Sequence, residues 1–89
     1  MFYVVEEKNI QVDGENNVWS KSIAVMAVNS EKWRINRYFK KIWIKYRNEH
    51  EDEYDSFKVI NDDHVVFFGP GMSIVDLYIS DNIKVVFEL

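Results

Sequence analysis

Between Ser30 and His50 the apolar residues Ile35, Phe39, Ile42 and Tyr46 recur at intervals of four, three and four, which stacks them on one side of an α-helix. Tyr38 and Trp43 widen that stripe. Ser30 supplies an N-cap oxygen for the bare amides of the first turn, Glu31 follows where an anion suits the helix dipole, and neither Gly nor Pro interrupts the run. The spacing therefore predicts one long amphipathic helix, and its apolar face must bury against something.

The segments on either side lack that period. Phe2-Tyr3-Val4-Val5 is β-prone, Glu6-Glu7-Lys8-Asn9 reads as a polar turn, and Ile10-Gln11-Val12 alternates, which together predict a hairpin. After the loop residues Asp13 to Asn17, Val18 to Val28 reads as an extended apolar strand, although its two Ala residues and Met26 would also suit a helix running into Ser30. Beyond the helix, Phe57 to Ile60 and His64 to Phe68 flank the short polar connection Asn61-Asp62-Asp63. Gly69-Pro70-Gly71 ends that strand, and a second hairpin is expected from Ser73 to Ile79 and Ile83 to Leu89. The expected fold is α+β: an antiparallel sheet of about five to six strands packed on one long helix, in the order strands, helix, then a four-strand meander.

A helix followed by antiparallel strands is similar to cystatin-like folds, in which a curved sheet wraps around a helix. The likeness is one of element order. The Gln-x-Val-x-Gly segment that protease-inhibiting cystatins use is absent from this sequence, so no functional residue carries over.

Composition narrows the class. A chain of 89 residues has the size of one small domain, 1–89, and its 47% hydrophobic and 16% aromatic residues are too many for a disordered segment. Without Cys there is neither a disulfide framework nor a thiolate metal site, and no stretch approaches the roughly 20 apolar residues of a membrane helix. With no basic segment and apolar stretch resembling a signal peptide in the first residues, a cytoplasmic location is expected. Phe, Tyr, Met, Ile, Asn and Lys total 39 residues against nine for Gly, Ala, Arg and Pro. That bias follows AT-rich codons and suits an AT-rich bacterium, its phages or plasmids, or an AT-rich eukaryote, with the short acidic chain favouring the mobile elements.

Catalytic motifs are missing. No Ser lies in Gly-x-Ser-x-Gly, there is no phosphate-binding Gly-x-x-x-x-Gly-Lys, and Gly69-Pro70-Gly71 reads as a turn. His50 and His64 sit beside Glu49, Glu51, Asp62 and Asp63, which would make a metal or acid-base site only if the fold joined the two segments. The expectation is a chain with no catalytic residues, metal or cofactor.

Charge patterning says more. Seven of the eleven basic residues lie between Lys32 and Arg47 with no acid among them, although the net charge is -4. Arg34, Arg37, Lys41 and Lys45 form a stripe that either pairs with the protein's own carboxylates or tracks an anionic surface. Directly after it, five of the seven residues from Glu49 to Asp55 are acidic, which opposes the dipole at a helix C-terminus: either the helix breaks near Asn48, the preferred reading, or Asn48 caps a second short helix with Glu51 closing a capping box.

Two sets of apolar residues exceed what one helix on one sheet face can bury. Trp33 and Ile44, eleven residues apart, fall on the side of the helix away from Ile35 and Phe39, ringed by Arg37, Lys40 and Lys41. Val65 to Phe68 is apolar at every position, so Val66 and Phe68 point to the opposite sheet face. The expected function is a non-enzymatic protein-interaction module, such as a mobile-element modulator of a host protein, or a homodimer formed through the same patches. Trp33, Ile44, Arg34, Arg37, Lys40, Lys41, Lys45, Val66 and Phe68 are its partner-binding candidates. The alternative is a nucleic-acid-binding accessory protein using the basic stripe, and a small enzyme of unknown type comes third.

Overall fold

The computed structural model describes residues 1–13, 18–51, 54, 56–69 and 73–82, with the side chains of 11–13, 18 and 19 left aside. In chain order the elements are β1 (Phe2–Asp13), β2 (Val18–Asn29), α1 (Lys32–Glu49), β3 (Ser56–Asn61), β4 (His64–Phe68) and β5 (Ile74–Ser80). The five strands form one antiparallel sheet in the order β2-β1-β5-β4-β3, so β3, β4 and β5 are a meander whose last strand docks beside β1. This is the α+β plan of strands, helix and strands. The expected fourth strand of the meander, Ile83 to Leu89, lies outside the described residues.

The first hairpin is not where the polar run suggested. Phe2–Asp13 is one continuous strand, and Glu6-Glu7-Lys8-Asn9 forms its middle rather than a turn. The charges are accommodated along and across the strand: Glu6 meets Lys8 of β1 itself at 3.6 Å, and Glu7 meets Lys21 of β2 at 2.9 Å. A strand flanked on both sides can carry polar residues when the neighbouring strands supply partners for them. Val18–Asn29 is a strand throughout, with register irregularities opposite Val4/Val5 and Gln11/Asp13.

Alternation along the strands divides the sheet into two faces. Val4, Val65, Phe67, Val75 and Leu77 face α1 and enclose Ile35, Phe39 and Tyr46, with Ile42 and Trp43 packed at the margin. The helix thus buries the stripe that its spacing predicts, except that Ile42 is only partly buried and Tyr38 is 46% exposed. Tyr46 links the layers at the far end, with its ring 4.8 Å from that of Phe67 and its hydroxyl 3.2 Å from that of Tyr54.

The N-terminus of α1 differs from expectation, and its C-terminus falls next to the expected break near Asn48. Glu31, not Ser30, occupies the N-cap and makes no side-chain cap hydrogen bond, while Asn29 Oδ1 accepts a hydrogen bond from Glu31 N–H at 2.9 Å. The helix runs to Glu49, and His50 N–H closes its last turn by donating to the Tyr46 carbonyl at 3.0 Å. Between β3 and β4, Asp63 N–H donates to Asn61 Oδ1 at 2.7 Å, an Asx-type turn that suits the two-residue connection.

Candidate functional site

The outer face of α1 carries the first group of candidates. Trp33 and Ile44 are 54% and 42% exposed, so both stand off the core as two apolar projections on a charged helix. Trp33, Arg34, Arg37, Tyr38 and Lys41 line a shallow depression of about 340 Å³. Arg34 helps build it by placing its guanidinium 5.1 Å from the centre of the Trp33 ring while its Nε reaches Glu31 at 3.1 Å. A cation held over an indole stiffens that side chain and leaves its far face open.

The fold divides the basic residues into two sets. Lys32 is tied to Asp63 at 2.8 Å, Arg34 to Glu31, and Lys45 to Glu49 at 3.7 Å. Arg47 lies 5.6 Å from the ring centres of Trp43 and Phe57, where it covers the junction of helix and β3. Among the described residues no carboxylate forms an ion pair with Arg37, Lys40 or Lys41. Among the described residues, Arg34 and Lys45 of the stripe are therefore paired internally, and Arg37 and Lys41 are not.

Val66 and Phe68 do project to the sheet face away from α1, but only Phe68 reaches solvent substantially: Val66 is 7% exposed and Phe68 37%. Their neighbours make that face polar. His64 Nε2 donates to Asp76 Oδ1 at 2.6 Å across β4 and β5, and the Tyr78 hydroxyl donates to Glu7 Oε2 at 3.2 Å across β5 and β1. Burial first, then the charge and hydrogen bond of Glu7 and the charge of Asp76, push the Tyr78 hydroxyl up to about 12. Glu7, Asp76, His64 and Tyr78, with Asn61, Asp63 and Ile79, border an open depression of about 440 Å³.

Spacing along the chain gave no sign of this ladder. His64 was a candidate through Asp62 and Asp63, but its partner is Asp76, and only the β4-β5 register brings the two together. The available signal was the alternation of Asp76 and Tyr78 with Val75 and Leu77, which places two polar side chains on one face of β5. His50 is elsewhere, at the end of α1, with its ring 4.3 Å from that of Tyr46. Among the described residues no three His, Asp or Glu side chains are grouped to hold a metal ion. Nor is any described helix long and apolar enough to cross a membrane.

No protein-family model matches the chain, and no curated protein and no solved structure matches it either.

Proposed function

We propose that this chain is a non-enzymatic protein-interaction module that receives an acidic partner surface on the outer face of α1. The observation that carries this reading is the pairing of two exposed apolar anchors, Trp33 and Ile44, with the three cations Arg37, Lys40 and Lys41, for which the described residues supply no ion-pair partner. An aromatic anchor ringed by charge has the makeup of an interface hot spot, and guanidinium and ammonium groups without internal partners select a carboxylate-bearing surface. The AT-rich residue usage supports a mobile-element factor that modulates a host protein in the host cytoplasm.

The second reading, nucleic-acid binding, draws on the same three cations. It fits less well, because the chain as a whole is acidic at pI about 5.1, whereas a phosphate backbone is usually met by a basic domain. One comparison separates the readings: recovery of tagged chain from its native host, with the Arg37→Glu/Lys41→Glu variant alongside, and titration of both with duplex DNA at low salt. The favoured reading expects a protein that copurifies with the parent chain and is lost from the variant, and no binding to DNA. Retention of DNA, with an affinity that falls by a slope of roughly -0.9 per phosphate contact as salt rises, would replace it with the second reading.

A further inference from the structure

Helix α1 carries one spacing twice. The intervals of four, three and four that bring Ile35, Phe39, Ile42 and Tyr46 towards the sheet recur two residues earlier at Trp33, Arg37, Lys40 and Ile44. Two residues are about 200° around a helix, so the second seam runs along the side opposite the first. The sheet covers the first seam. All four residues of the second are exposed, on a line about 16 Å long that has apolar ends and a cationic middle. No acid lies between Trp33 and Ile44 in the sequence, and among the described residues no carboxylate forms an ion pair with Arg37 or Lys40. Such a seam is the spacing through which helices pack side by side.

Three properties of this face specify its occupant. Main-chain groups along α1 are bonded within the helix, so the face gives a strand nothing to pair with, and whatever lies on it must satisfy its own backbone. A helix does so. A second α1 is opposed by charge: antiparallel, Arg37 of one copy meets Lys40 of the other, and parallel, each cation meets its twin. On the flank of the seam, Arg34, Arg37, Tyr38 and Lys41 stand at i, i+3, i+4 and i+7 and, with Trp33, line the depression of about 340 Å³. Four positions at that spacing form the hole that receives one side chain of an adjoining helix. Three of its corners are cations, which select a carboxylate. We propose, resting on the protein-docking reading of this face, that the partner presents an acidic amphipathic helix, with carboxylates opposite Arg37 and Lys40 and aliphatic residues opposite Trp33 and Ile44. The intervals read the same in both directions, so the complement is apolar, acid, acid, apolar whichever way the partner helix runs.

The test titrates the isotopically labelled full chain with synthetic peptides of about 20 residues, long enough to hold a helix in water, and follows the amide resonances. The first peptide carries Leu, Glu, Glu and Leu at intervals of four, three and four on an Ala and Gln background. A second has the same composition with both Glu residues moved to the opposite side, and a third has Lys in place of Glu. The first should shift the amides from Trp33 to Ile44 and bind at least about tenfold more tightly than the second, and the third should not bind. Arg37 and Lys40 are exposed, so the Arg37→Glu/Lys40→Glu chain should keep the parent circular dichroism and exchange its preference, taking the Lys peptide and refusing the Glu peptide. Equal binding of the first two peptides, shifts confined to residues outside α1, or no shift at millimolar peptide each overturns the proposal. Should the variant misfold, the three peptides on the parent chain decide alone. A copurified protein that binds the parent but not Trp33→Ala, while no peptide binds, overturns the acidic helix and leaves the docking face standing.

Discussion

Two side chains carry the sharpest expectations at the scale of single residues. Phe39 is 1% exposed and sits at the centre of the cluster between α1 and the sheet, so Phe39→Ala should cost about 3–5 kcal/mol in urea unfolding. Ile42, which shares its sequence spacing, is only partly buried, so an equivalent truncation there should cost visibly less. Tyr78 supplies a pH dependence with a definite sign. Its proton is held more tightly in the folded chain than in the unfolded one, so its contribution is fully present below pH 10 and is lost as pH rises towards about 12. Over that window the parent should lose stability more steeply than Tyr78→Phe, and parallel pH profiles for the two would contradict the Tyr78–Glu7 contact. Alternation along β5 places Asp76 and Tyr78 on one face but does not name their partners, which lie on other strands and are joined to them only by the register.

Among the elements, α1 was the most legible, since Ile35, Phe39 and Tyr46 repeat at a period that no strand shares and all three are buried. Its N-terminus was less so: an available Ser30 lost the cap position to Glu31, whose longer carboxylate turns to Arg34 instead of the helix amides. Glu31→Asp should therefore stabilise the fold by about 0.5–1 kcal/mol, read as a higher Tm, because a shorter side chain can reach the first-turn N–H groups. The exposed Glu31–Arg34 pair it removes is worth little against that gain. β1 was the least legible element. Its four central polar residues have turn composition, and they lie within a strand because Lys21 and Tyr78 meet Glu7 from either side. Local propensity yielded to cross-strand contacts that no window of sequence contains.

For the whole molecule, the two layers leave surfaces that one helix cannot cover, which the surplus of large apolar residues already implied. Their positions needed the structure. Val66, expected at an open patch, is almost closed off within the sheet, while Trp33 and Ile44 remain exposed beside cations with no internal ion pair among the described residues. The protein-docking reading rests on that helix face, and the affinity of a copurified partner for the parent chain and for Trp33→Ala tests it most directly. Trp33 is 54% exposed and is not among the described residues packed against the core, so the variant should unfold at the parent temperature while binding weakens by more than about 1 kcal/mol, roughly fivefold or more in Kd. Unchanged affinity in a folded Trp33→Ala chain would contradict the assignment of this face as the partner site.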